Sequence, residues 1–186
     1  MRADLAIWPI QFTSYGDELP ALYTDLETQS NHVIAFLRAR GFEEDDISLN
    51  LPALEDLKAR GNRNAVARYS ATQTVTVYSR DVEGVRDAQK ALIELGKTGI
   101  ALSGDRYRSS TQFIFTGLSE IKPEMVEEAT RKARVVAEKF AKDSDSKLGK
   151  IKNARQGQFS IRNRDSQNPH IKKVRVVNTV QYYLSD

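Results

Sequence analysis

Cysteine is absent from this 186-residue chain, which excludes a disulfide framework, a thiolate metal site and a cysteine nucleophile together. Histidine is nearly absent: His32 and His170 are too distant in sequence to suggest a multi-histidine metal centre. No apolar run approaches the roughly 18 residues of a membrane helix, and no signal peptide is visible. Glycine-rich loops are missing too. What is present is enough to build a core, because 40% of residues are hydrophobic and 28% charged, a balance that argues against disorder. The chain has the size of one large domain or two small ones.

The net charge of +3 conceals an asymmetry. Residues 1–57 carry three basic and eleven acidic groups, a net −8 that includes the run Glu43-Glu44-Asp45-Asp46. Residues 131–175 carry fourteen basic and four acidic groups, a net +10. Such a chain can fold its halves against each other, present opposite faces to neighbouring copies, or offer the basic face to a polyanion.

Periodicity orders the elements. Residues 2–12 read as a strand in which Pro9 cannot donate, so a free edge or a bulge is expected there. Leu19, Leu22, Leu26, Val33, Phe36 and Leu37 mark a helix ending at Arg40-Gly41. A short strand follows at 47–51, then a loop over 55–64 with Gly61, Asn62 and Asn64. Residues 69–78, rich in Thr, Val and Tyr, predict a strong strand. Asp81 caps a helix bearing Val82, Val85, Ala88, Leu92 and Leu95. A strand begins at Ile100, turns at Gly104-Asp105 and returns over 110–115. Ser119 caps a long helix whose buried stripe is Met125, Ala129, Ala133, Val136 and Phe140. Residues 151–161 are extended, and 174–184 read as one unbroken strand that can hairpin with them and reach back to the first strand.

The expected fold is therefore α+β. Residues 67–161 form a ferredoxin-like split βαβ lobe (βαββαβ), with helices on one face of the sheet and the other face open. Residues 1–66 form a smaller βαβ lobe completed by the C-terminal strand in 162–186. Since 66 residues cannot bury that lobe's apolar stripe alone, the two lobes count as one domain over 1–186.

Catalytic motifs fail one by one. Gly96-Lys97-Thr98 resembles the end of a phosphate loop, but Ala91 stands where the first glycine belongs, so a helix C-cap is the better reading. Ser119-Glu-Ile-Lys122 and Lys97-Thr98-Gly99 occur in the wrong order for a serine acyl-transfer site. Asp143-Ser-Asp-Ser146 lacks the glycine and final glutamate of a calcium loop. No catalytic residue, metal ligand or cofactor contact is assigned. Beside the basic 131–175 segment, an open sheet face with Tyr69, Phe113, Phe115 or Phe159 resembles RNA-binding sheets, yet the glycine-aromatic signature of those sheets is missing, so nucleic-acid binding is not expected.

Five segments carry a family resemblance: Ala3-Asp-Leu-Ala-Ile-Trp-Pro-Ile10, Tyr69 to Tyr78, Ala129 to Phe140 with Leu148-Gly-Lys-Ile151, Gln156 to Ile161, and Val174 to Tyr183. From Arg2 onward the chain resembles the SIMPL-domain (DUF541) family of bacterial envelope proteins. The resemblance implies export to the periplasm or beyond, ring- or channel-like homo-oligomers, and a loose tie to envelope and oxidative stress. It also implies a membrane anchor and one further strand preceding Met1. The family supplies no catalytic residues to carry over.

The function expected is a non-enzymatic, extracytoplasmic, self-assembling protein. Its contacts are expected at Trp8 near a sheet edge and at Phe159, Ile161, Arg162 and Arg164 in the C-terminal hairpin. The alternative is a module for an anionic partner (lipid head group, cell-wall polymer or nucleic acid) that binds through the basic 131–175 region. The sequence names no small-molecule ligand.

Overall fold

A computed structural model describes residues 1–61, 65–102 and 110–185. Helix and strand share the described residues almost equally, at 36% and 35%, and the sheets are antiparallel, so the protein is mixed α and β. Contacts divide it into two units, Asp4–Ile114 and Met1–Ala3 with Phe115–Asp186.

The unit Asp4–Ile114 is built on one sheet. Strand β1 (Leu5–Gly16) pairs with β4 (Tyr69–Ser79) over eleven positions, from Ala6 opposite Ser79 to Gly16 opposite Tyr69. Short strands β2 (Ile47–Leu49) and β3 (Ala53–Asp56) pair along β4, and β5 (Gln112–Ile114) pairs with the start of β1. Strand alternation sends Ala6, Trp8, Ile10 and Phe12 of β1, with Ala71, Val75 and Val77 of β4, to one buried face. Helix α1 (Leu19–Arg38) packs against β1 and β4 and buries Leu22, Leu26, Val33, Phe36 and Leu37. It ends as its sequence predicts: Gly41 has φ +86°, and the Phe42 N–H bonds the Leu37 carbonyl at 3.3 Å.

Several expectations are corrected in this unit. β3 occupies the start of the expected loop, because pairing with Ser70 and Tyr69 outweighs the poor strand propensity of Glu55 and Asp56. The second helix is broken into α2 (Val82–Lys90) and α3 (Ile93–Lys97), although Asp81 caps α2 as expected, its Oδ1 accepting from the Gly84 N–H at 2.9 Å. Pro9 lies in register opposite Thr76 rather than at a bulge. The Thr13 N–H points away from β4 to the Ala101 carbonyl, and alternation turns the Pro9 nitrogen the same way, beyond the last position paired with β5. The turn expected at Gly104-Asp105 lies outside the described residues, as do Asn62 and Asn64.

The second unit is sparser. Helix α4 (Leu118–Asp143) runs 26 residues and packs on a ribbon. In that ribbon β6 (Lys147–Gln156) pairs with β9 (Asn178–Ser185), and β7 (Ser160–Asn163) with β8 (Lys172–Arg175). The hairpin is as expected, but the last strand is split at Val176–Val177. There the Gly157 N–H bonds the Val177 carbonyl at 2.8 Å, and a Cβ on Gly157 would sit 2.6 Å from that oxygen. Met1–Ala3 belong to this unit: Arg2 bridges Ile171, and the Ala3 N–H bonds the His170 carbonyl at 2.8 Å. The helix starts at Leu118, so Gly117 rather than Ser119 is the N-cap residue.

These units do not follow the expected lobes. β4 pairs with β1 across the 66/67 boundary, while β6 pairs with β9. The strands of 67–161 thus fall in separate sheets among the described residues, and the βαββαβ lobe is not seen. Periodicity located the strands but carries no information about partners.

Candidate functional site

Trp8 is not at a sheet edge. It lies in β1, between β4 and β5 in the sheet order, opposite Val77, and is 3% exposed, which makes it a core residue. The other four expected contact residues cluster in and beside β7. Phe159 is half-buried, with the Lys122 ammonium 5.7 Å from its ring centroid, inside the range of a cation–π contact. Ile161 is 37% exposed opposite Val174, and Arg162 is exposed opposite Lys173.

Arg164 has a local task. Its Nε donates to Asp165 Oδ2 at 2.7 Å, and its own N–H reaches the Ile171 carbonyl at 2.7 Å. Asp165 Oδ1 meanwhile accepts from the backbone N–H groups of Gln167 and Asn168 at 3.0 and 2.8 Å. The Arg164 guanidinium, and after it Asn168, hold the Asp165 carboxyl down at about 2. Arg164 and Asp165 therefore staple the β7–β8 turn. Beside it, Lys172 is buried with its ammonium 2.6 Å from Asn163 Oδ1, and burial lowers its pKa.

Sequence reasoning missed an exposed apolar surface. On α4 the expected stripe is covered only in part: Met125, Ala129 and Ala133 are half-buried, whereas Val136 is 51% and Phe140 69% exposed. A two-stranded ribbon is too narrow to cover it. The exposed side chains border an open groove of about 570 Å³ that runs from Ala129 and Phe140 on α4 to Val177 and Val180. Tyr183 and Leu184 of β9 are also more than half exposed. One signal was available in the sequence: Val135 falls outside the stripe, so α4 is apolar on more than one face.

The contrast between the units is sharp. Among the described residues, 21 buried hydrophobic side chains belong to Asp4–Ile114, and only Ala3 and Ala141 to the other unit. The units also differ in charge. Met1–Ala3 with Phe115–Asp186 carry sixteen basic and nine acidic groups, a net +7, leaving −4 on Asp4–Ile114.

Another concave site is a cleft of about 800 Å³ at the end of the β1–β4 pair, bordered by Thr13, Tyr15, Glu55, Ser70 and Thr72. Its one carboxylate, Glu55, is ion-paired with Arg60 at 2.8 Å. His32 is exposed on α1, and His170 is buried in the other unit. Among the described residues no group of three or more His, Asp or Glu side chains is placed to hold a metal. No helix there is long and apolar enough to cross a membrane. Lys97-Thr98 closes α3 as expected, the Thr98 hydroxyl donating to the Leu95 carbonyl at 2.8 Å.

A search of curated proteins finds no match to this chain. A family model described as SIMPL, protein of unknown function (DUF541), matches residues 1–181, so the chain belongs to that family.

Proposed function

We propose that this SIMPL-family protein is a non-enzymatic, self-assembling component that works outside the cytoplasm, tethered to the envelope. The observation that carries the reading is the uncovered apolar surface of the second unit. Among the described residues the unit buries only two hydrophobic side chains, Ala3 and Ala141, so its helix and two-stranded ribbons lack a core of their own. Exposed apolar patches of this kind mark interaction surfaces.

The occupant is a second copy of the chain. Charge complementarity selects the mode: a +7 unit repels its own kind and attracts the −4 unit of a neighbour. Such a contact is head-to-tail, the type that closes into rings when the rotation permits. The lack of cysteine is compatible with a place outside the cytoplasm. Family resemblance supplies both that location and the tie to envelope stress.

Sedimentation velocity across protein concentration and salt tests the assembly. Species larger than a monomer are expected at low salt and should dissociate as salt screens the unlike units. A strict monomer at every concentration would overturn the reading.

A further inference from the structure

The β7–β8 hairpin gathers three cations on one face, with Lys172 on the other. Ser160 pairs with Arg175, and Arg162 with Lys173, so strand alternation puts these four side chains on one side and Ile161 and Val174 on the other. The four line a small cleft of about 190 Å³. Like charges directly opposite each other destabilise an antiparallel pair, and here Arg162 faces Lys173 with Arg175 on the diagonal.

Some cations of this unit have carboxylate partners, but these three do not. Arg164 holds Asp165, Arg134 holds Glu138, and Lys132 holds Glu128 at 2.5 Å. Glu128 borders an adjoining groove with Arg175, but its carboxylate is already engaged by that lysine. Among the described residues no carboxylate lies within ion-pair distance of Arg162, Lys173 or Arg175. The face is built for a counter-anion that the chain does not itself provide.

We propose that this face is a binding site for a phosphate group. Two guanidinium forks match pairs of phosphate oxygens, the ammonium adds a point charge, and the Ser160 hydroxyl adds another donor. A phosphate monoester carries between one and a half and two negative charges on three acceptor oxygens, more than a single carboxylate can set against three cations. A cleft of this volume is below the roughly 300 Å³ at which drug-sized ligand pockets begin and suits an oxyanion. The group can arrive as free phosphate or as the headgroup of an anionic lipid.

Calorimetric titration of the full chain with inorganic phosphate at low salt tests the site. One saturable site per chain is expected, with affinity falling at least tenfold in the double variant R162Q/K173Q. The charge-matched K139Q/K150Q variant, outside the cleft, should stay within about twofold. Sedimentation with phosphatidic acid vesicles, against phosphatidylcholine vesicles, then separates the sources. Retention lost in R162Q/K173Q supports a headgroup, while saturable phosphate binding without retention supports the soluble ion. Unsaturable binding, or equal losses in the two double variants, would overturn the proposal. So would oligonucleotide retention equally sensitive to both, since that is diffuse polyanion attraction. None of these readouts needs the assembly, so the two proposals fail separately.

Discussion

Phe140 is the most informative side chain to remove, because its contribution to association separates cleanly from its contribution to folding. It is 69% exposed, so the fold uses less than a third of its surface. A phenylalanine buries about 200 Å², so covering the exposed share removes about 140 Å² from water, worth about 3.5 kcal/mol per copy at 25 cal/mol per Å². Complete coverage therefore corresponds to about a 300-fold change in the association constant, and half coverage to about 20-fold. Phe140→Ser should weaken self-association within that range, read by sedimentation equilibrium or light scattering on a dilution series. The melting temperature should fall only by the share the fold already uses, roughly 1.5 kcal/mol together with a small loss of helix propensity. An association constant unchanged in Phe140→Ser would refute the argument that α4 forms the contact.

Gly157→Ala should destabilise the ribbon by about 1–3 kcal/mol, since the new methyl meets the Val177 carbonyl oxygen and the backbone must shift. Hydrogen exchange should rise along β6 and β9 while β1 and β4 stay protected. Lys172 is buried with a lowered pKa, so the unfolded chain holds its proton to higher pH and stability rises as alkali relieves the buried charge. Lys172→Met should be the more stable form at neutral pH, with a gap that narrows as pH rises towards the unfolded lysine value; a pH-independent gap would contradict this. Asp165 titrates at about 2 in the folded state, so its contribution is intact above its ordinary value near 3.8 and fades as pH falls from there towards 2. Asp165→Asn should flatten that acid limb of the stability profile. Phe12→Ala, which empties a fully buried site, should cost about 3–5 kcal/mol by chemical denaturation.

Local signals in the sequence proved dependable where a side chain acts on its own segment. Asp81 caps α2, Gly41 ends α1, and the alternation of β1 and β4 assigns their buried faces. Information that depends on partners was not legible. Whether β4 pairs with β1 or with a later strand is settled by packing, and a hydrophobic repeat is silent about it. Trp8 illustrates the cost: next to a proline it reads as an edge residue, yet the proline's bare nitrogen points away from β4 and Trp8 faces the core. The groove on α4 was missed because a good helical stripe looks the same whether or not anything wide enough lies beneath it. The cationic face needed the register as well, since Arg162 and Lys173 are eleven residues apart and meet only because the hairpin aligns them.

The pairing of Met1–Ala3 with Ile171 and Lys172 sets an order of events. The Met1 amino group reaches the Lys172 carbonyl across 171 residues, among the longest loops this chain can close. The unit Asp4–Ile114, in contrast, is a continuous stretch whose strands can all meet once residue 114 has been made. During synthesis it can therefore be complete while the three residues before it still wait for the ribbon. Residues 1–3, made before that unit, are among the last to be fixed in place.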